Sequence, residues 1–160
     1  MIPDFAQHIK PAASWKQLSL PAARIELLSK VAASARSNST TTLFTGANGT
    51  GKTLAAEALA RELQTDLYRI DLRAVVGKWA AETEKNLDQL LDDAGRNSAV
   101  LLFDEADALF GKRTEVRDSH DRFAGERIQS YRALAILSVG KKDSIDPKLL
   151  ARIQFVIDFP

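Results

Sequence analysis

The segment 46–53 constrains this chain more than any other, because its residue pattern requires a strand before it and a helix after it. It reads Gly-Ala-Asn-Gly-Thr-Gly-Lys-Thr and matches the phosphate-binding loop G-x-x-x-x-G-K-[ST]. Glycines let the backbone turn through positive φ and approach an anion closely. Segment 41–45 is rich in β-forming residues, and 54–63 has a helical pattern. The pattern therefore predicts a nucleotide site, and the competing interpretation is a glycine-rich turn before an ordinary helix.

The residue types in the loop indicate a division of labour around a triphosphate. Main-chain N–H groups at the start of the helix point toward phosphate oxygens, assisted by the helix dipole. We expect Lys52 to reach the β- and γ-phosphates and the Thr53 hydroxyl to bind Mg²⁺. The nucleotide-contacting residues predicted here are Gly46, Ala47, Asn48, Gly49, Thr50, Gly51, Lys52, Thr53 and Leu54.

A second motif supports the first. Residues 100–103 form a continuous apolar run, as expected for a parallel strand buried on both faces, and the run ends in Asp104 and Glu105. Ligands of open α/β sheets bind at the carboxyl ends of the strands, so these acids are predicted to lie near the phosphates. Asp104 would hold Mg²⁺, and Glu105 would orient and deprotonate the attacking water. The alternative is an acidic helix N-terminus, where Asp and Glu are favoured without any catalytic role.

Composition excludes several classes of function. The chain has 160 residues, 45% of them hydrophobic, which suits one domain with a real core. Its formal net charge of +1 gives no electrostatic reason to expect nucleic acid as a partner. It lacks cysteine, which suits a cytoplasmic location, and no apolar run is long enough for a membrane span.

Strand and helix patterns alternate along most of the chain. Residues 1–20 show little periodicity and are interpreted as an N-terminal extension, and 21–160 as the nucleotide-binding core. Pro21 is predicted to open a helix, since proline is favoured in the first turn. Further strands are predicted at 67–72, 99–103, 133–139 and 155–159, with a helix at 82–94. This order predicts an α/β fold: a three-layer sandwich with a parallel sheet and helices on both faces.

Taken together, these motifs resemble the large subdomain of an AAA+ ATPase, a P-loop NTPase, over most of the chain from about Trp15. Segment 78–85 is similar to the family's aromatic pore loop and the helix start after it, and 145–150 to the segment before the arginine finger. The stretch 101–123 is most similar to single-ring AAA ATPases of phage-tail-like contractile injection particles.

The resemblance implies ATP with Mg²⁺ at the boundaries of a ring, usually of six subunits. It further implies that Trp79 faces the central channel and grips a polypeptide. The other interpretation of Trp79 is a buried core aromatic.

Four departures from the family pattern bear on activity. Gly140 stands where the family usually has an asparagine that places the attacking water, and Ala151 precedes Arg152 where it often has two arginines, so Arg152 is the local candidate finger. Segment 123–131 is predicted to be too short for the family's long helix, leaving one sheet face poorly covered. The sequence stops at Pro160, where the family's helical lid begins.

Three hypotheses follow from the sequence. The first is an ATPase that couples hydrolysis to protein remodelling in a ring. The second is an ATP-binding assembly or interaction module with little or no hydrolysis, favoured by Gly140 and Ala151. The third is a shortened product without a stable function.

Overall fold

The computed structural model describes residues 3–77, 81–111 and 119–160. Six strands form one sheet: β1 (Ala6–Ile9), β2 (Thr40–Thr45), β3 (Leu67–Asp71), β4 (Val100–Asp104), β5 (Leu134–Val139) and β6 (Phe155–Asp158). Seven α-helices within these ranges accompany them: α1 (Ala22–Ser37), α2 (Lys52–Glu62), α3 (Leu72–Gly77), α4 (Ala81–Arg96), α5 (Asp107–Phe110), α6 (Ser119–Gln129) and α7 (Pro147–Leu150).

The strand order is β1-β3-β4-β5-β2-β6, and every pair is parallel except β1 with β3. The predicted parallel sheet is therefore confirmed, with an antiparallel strand at one edge. The strand that precedes the phosphate loop, β2, lies between β5 and β6. The strand that ends in the two acids, β4, is separated from β2 only by β5.

Alternating side chains of the strands build two apolar layers. In β4, Leu101 and Phe103 face one layer and Val100 and Leu102 face the other, and all four are buried. Helices α1 and α2 cover the second layer, where Leu28 is among the buried residues. Helices α3 to α7 cover the first. The chain thus has the predicted three-layer α/β sandwich, because strands buried on both faces need helices on both sides.

The prediction that 123–131 lacks a helix long enough to cover one face of the sheet is wrong. Helix α6 spans eleven residues, because it begins at Ser119, upstream of the segment considered. Ala124 and Ile128 are buried in the apolar layer, and Arg127 binds Asp88 and Asp92 on α4. This packing outweighs the weak helix propensity of Gly125, so that face of the sheet is covered.

The N-terminal segment contacts the domain at two places. Its strand β1 pairs with β3 in the register Ala6 with Ile70, although the sequence showed no strand pattern there. Farther on, the Trp15 indole N–H donates to Glu62 (3.0 Å), and Arg61 donates to the Ala12 carbonyl (3.1 Å). The segment is therefore bonded both to the sheet and to α2. Within the described ranges, no helix combines the length and the apolar character needed to cross a bilayer.

Candidate nucleotide site

The loop between β2 and α2 has the backbone that a phosphate-binding loop needs. Gly46, Gly49 and Gly51 have φ of 148°, 84° and 99°, all in the region that favours glycine. Gly51 is the N-cap residue of α2, and its left-handed backbone forms the turn from the loop into the helix. Gly46 is also confined by its neighbours, since a Cβ at this position would lie 2.6 Å from the Phe159 carbonyl oxygen.

The main-chain N–H groups of residues 47–54 are available to a ligand. Within the described part of the chain, no group accepts a hydrogen bond from any of them, and the next N–H, that of Ala55, bonds to the Gly51 carbonyl (2.9 Å). Successive free N–H groups at the start of an eleven-residue helix attract negative charge. The donor set therefore fits the oxygens of a phosphate chain.

The Lys52 ammonium group lies across its own loop. It donates to the carbonyl oxygens of Gly46 (2.6 Å) and Val139 (3.0 Å), which connects the loop to the end of β5. Burial lowers the pKa of Lys52 from its usual value, while the nearby carboxylates of Asp104 and Glu105 act in the opposite direction. Lys52 is thus a cation between the loop and the acids of β4.

Thr53 and Leu54 are exposed in the first turn of α2. A hydroxyl such as that of Thr53 and a carboxylate such as that of Asp104 are hard oxygen ligands, the type that Mg²⁺ takes together with phosphate oxygens. The ends of β2 and β4 are two strand spacings, about 10 Å, apart. The residues present therefore fit a magnesium ion that arrives bound to a polyphosphate.

Asp104 ends β4 and has protein partners on both carboxylate oxygens. Its Oδ2 accepts from the Nε (3.0 Å) and Nη2 (2.5 Å) of Arg69, and its Oδ1 accepts from the main-chain N–H of Glu105 (3.1 Å). Arg69 lies in β3, two residues before Asp71, which pairs with Asp104 in the sheet register. The neighbouring strand thus supplies the counter-charge.

Glu105 has φ of 55°, a left-handed conformation that is uncommon outside glycine. The following N–H, that of Ala106, donates to the Ser138 carbonyl (3.1 Å), which fixes this turn against β5. The Glu105 carboxylate accepts from Arg73 Nη2 (2.9 Å) at the start of α3. Backbone strain of this kind persists where surrounding structure enforces it, and it is concentrated at functional sites.

Arg152, the candidate arginine finger, is exposed and lies away from the phosphate loop of its own chain. It follows α7, whose N-cap residue Asp146 accepts from the Lys148 N–H (2.9 Å). Phe155, three residues after Arg152, pairs with Thr42 in β2. Thr42 lies four residues before Gly46, which is about 13 Å along the strand. Arg152 therefore lies near the end of β2 that is remote from the loop.

Two other sequence-predicted positions have different outcomes. Gly140 is exposed just past β5, and a Cβ built on it meets no atom within 4 Å. The position beside Val139 is therefore open to a side chain but carries none. Trp79 lies outside the described residues, so its role as a pore-loop residue stays a prediction.

Sequence reasoning missed Arg69 and Arg73, the two arginines that bind the acids. The available signal was a charged residue in the middle of the strand at 67–71, next to a strand that ends in acids. Recognising it requires the pairing of β3 with β4, which the sequence pattern does not give.

Comparisons with known proteins find a family model and relatives that match most of this chain. Residues 42–160 match the family model described as "ATPase family associated with various cellular activities (AAA)". The chain is 34% identical over 116 residues to the ATPase family gene 2 protein of Schizosaccharomyces pombe, covering 67% of this chain and 14% of that protein. It is 31% identical over 118 residues to the cell division cycle protein 48 homolog of Archaeoglobus fulgidus (68% and 16%). It is 33% identical over 122 residues to the AAA family ATPase y4kL of Sinorhizobium fredii (70% and 37%). The chain therefore spans well under half the length of these relatives.

Proposed function

Since the chain belongs to the AAA family of ATPases, we propose that it binds ATP with Mg²⁺ in the loop at 46–53 and hydrolyses it with Glu105 as general base. One observation carries the proposal: the free N–H groups of 47–54 lie beside Lys52, whose charge interacts with both Asp104 and Glu105. Phosphoryl transfer requires N–H groups that bind an anion, a cation and two acids close together, and this site has all of them.

Each residue has a role in the reaction. The N–H groups of the loop and the Lys52 ammonium bind the phosphates and stabilise charge on the γ-phosphoryl oxygens. Thr53 and Asp104 would hold Mg²⁺, which neutralises phosphate charge when bound. Glu105 accepts a proton from water as the water oxygen bonds to the γ-phosphorus. The bond from that phosphorus to the bridging oxygen breaks, and ADP and inorganic phosphate are formed.

We further propose that the site is completed by a second copy of the chain in a ring. Arg152 is exposed and lies near the opposite end of β6 from its own loop, which leaves it available to a neighbour's ATP. In a head-to-tail ring, each subunit presents one surface to the next and a different surface to the previous one. A hexamer, a polypeptide gripped by Trp79, protein remodelling and service to a contractile injection particle are finer parts of this proposal.

A second function is favoured by one specific position, Gly140. It provides no side chain beside the space where the attacking water would lie. A chain that binds ATP and assembles, but turns it over very slowly, would fit this feature. Intact Asp104 and Glu105 favour hydrolysis instead, so the ATPase remains the conclusion.

Mixing of two inactive variants tests hydrolysis and shared sites together. Glu105→Gln should bind ATP but lack turnover, because the amide cannot accept the proton. Arg152→Ala should lack turnover because the neighbour's site loses its cation. In a random 1:1 mixture, about a quarter of head-to-tail interfaces combine an intact Glu105 with an intact Arg152. Phosphate release should therefore reappear on mixing.

The outcomes separate the two functions. Turnover that rises with wild-type concentration and is lost in Glu105→Gln supports the ATPase, and turnover unchanged by that substitution contradicts it. ATP-dependent assembly, measured by light scattering on a sizing column, with negligible phosphate release would select the assembly module. A mixture that stays inactive beside an active wild type contradicts the role of Arg152 in a neighbour's site.

A further inference from the structure

Arg69 neutralises the carboxylate that the proposed function assigns to the metal. Its Nε and Nη2 both donate to Oδ2 of Asp104, and the Glu105 N–H occupies Oδ1. Each oxygen of Asp104 is thus bonded to the chain without any ligand. A metal ion that binds this carboxylate must share it with a guanidinium or displace one.

The Arg69–Asp104 pair is more shielded from water than the neighbouring pair. The side chains of Arg69 and Asp104 are 36% and 25% exposed, against 73% and 37% for Arg73 and Glu105. Solvent screens exposed pairs strongly and partly buried pairs less. Arg69 therefore has the larger electrostatic effect on the acids of β4.

Both acids at the end of β4 are already paired with cations before a metal arrives. Lys52, Arg69 and Arg73 are three cations beside two carboxylates, those of Asp104 and Glu105. A divalent cation entering alone would have to compete with the arginines that already pair with both acids of β4. A triphosphate brings several negative charges and reverses that balance.

We propose that Arg69 is an internal counter-ion of Asp104 that prevents metal binding in the absence of nucleotide, so that Mg²⁺ enters together with the polyphosphate. The inference rests on the proposed function, since it concerns the same site. An arginine suits this role because its guanidinium stays charged at every physiological pH and offers several donors in a fixed plane. Its place in β3, beside β4 in the sheet, holds it against Asp104.

The test measures metal binding directly and does not depend on turnover. Mn²⁺ replaces Mg²⁺ because its free form gives an electron paramagnetic resonance signal. In Arg69→Gln without nucleotide, the affinity for Mn²⁺ should rise by about tenfold, since a cation within 4–6 Å changes a carboxylate equilibrium by one or more tenfold steps. Unchanged or weaker Mn²⁺ binding in this variant overturns the inference.

Matched variants separate local from global effects. Arg96→Gln removes the same charge from an exposed pair with Asp93 on α4, and it should leave Mn²⁺ affinity at the wild-type value. Arg69→Lys keeps the charge and should stay near wild type. Asp104→Asn combined with Arg69→Gln should abolish the gain. A gain of equal size in Arg96→Gln would contradict the counter-ion role, because it would reflect overall charge alone.

A measurement on the wild type keeps the inference testable if Arg69→Gln does not fold. After the Mn²⁺ chelated by free ADP is subtracted with a protein-free titration, the affinity of the protein for Mn²⁺ with and without ADP should differ by at least about tenfold, and ADP affinity should respond to Mn²⁺ by the same factor. Equal Mn²⁺ affinity in both conditions overturns the inference. Wild-type binding of a fluorescent ATP analogue serves as the separate test of the proposed function. If the analogue binds but ADP does not change the affinity of the protein for Mn²⁺, only the counter-ion role fails.

Discussion

Replacement of Gly46 by alanine should destabilise the chain strongly, because two independent costs arise at the same atom. The first is backbone strain at φ 148°, where a residue with a Cβ costs on the order of 1–3 kcal/mol. The second is steric, since the new Cβ would lie 2.6 Å from the Phe159 carbonyl oxygen and 3.0 Å from Thr50 Oγ1.

The Phe159 carbonyl cannot move aside cheaply. The Phe159 N–H donates to the Thr45 carbonyl (2.7 Å), and its ring packs on Phe44 with centroids 4.9 Å apart. Asp158, the residue before it, accepts a hydrogen bond from the Thr45 hydroxyl. Overpacking at such a site costs about 1–3 kcal/mol. Alanine also reduces the entropy of the unfolded chain, which returns about 0.4–1 kcal/mol.

The net cost of Gly46→Ala is therefore about 2–4 kcal/mol in the free energy of unfolding. For a chain of this size each 1 kcal/mol lowers the Tm by about 2–4 °C. Gly49→Ala is the matched control, because φ there is 84° but no atom lies within 4 Å of the added Cβ. Without the steric cost, its destabilisation should be about 1 kcal/mol.

Urea denaturation followed by circular dichroism, with thermal melts in parallel, measures both variants. The expected order is wild type, then Gly49→Ala, then Gly46→Ala, with about 2 kcal/mol between the two variants. If Gly46→Ala is as stable as Gly49→Ala, then Phe159 is not a rigid obstacle, and the description of the loop as confined at Gly46 is wrong.

Three further predictions concern the acids, the end of β5 and the packing of α6. In urea denaturation, Glu105→Gly should be about 1 kcal/mol more stable than Glu105→Ala. Both variants lose the hydrogen bond to Arg73, but only glycine relieves the backbone strain at φ 55°. Equal stabilities would remove the evidence for strain. Gly140→Asn should fold as the wild type does and raise phosphate release by about tenfold or more, since one well-placed donor contributes at least that much; unchanged release would show that this glycine does not limit turnover. Arg127→Ala should lower the free energy of unfolding by about 0.5–2 kcal/mol through its two carboxylate partners on α4, which are both about half exposed. A double-mutant cycle with Asp88→Ala then gives the pairwise part, and a coupling of zero would show that this contact does not stabilise the fold.

Features encoded by local sequence could be predicted, and those that depend on tertiary contacts could not. The loop at 46–53 and the apolar strand ending at Asp104 are local patterns with a direct physical meaning, and the structure has a strand, loop and helix where they were expected. The limits of the five predicted strands differ from the structure by at most one residue. The metal and catalytic roles of these residues stay predictions.

The missed features share one cause. Strand β1 has no alternating pattern of its own and exists because β3 offers a partner. Helix α6 contains a glycine that argues against it locally, while Ala124 and Ile128 stabilise it through burial. Arg69 and Arg73 read as ordinary charged residues until the sheet order brings them to Asp104 and Glu105.

The N-terminal segment is attached both to the sheet and to α2, and this matters for the proposed nucleotide site. Tension applied at Pro3 would pass through β1 to β3, the strand that contains Arg69. It would also pass through Ala12 and Trp15 to α2, the helix that begins at Lys52. Two elements that flank the proposed nucleotide site are thus bonded to the same N-terminal segment. A pull on that segment would act on both elements at once.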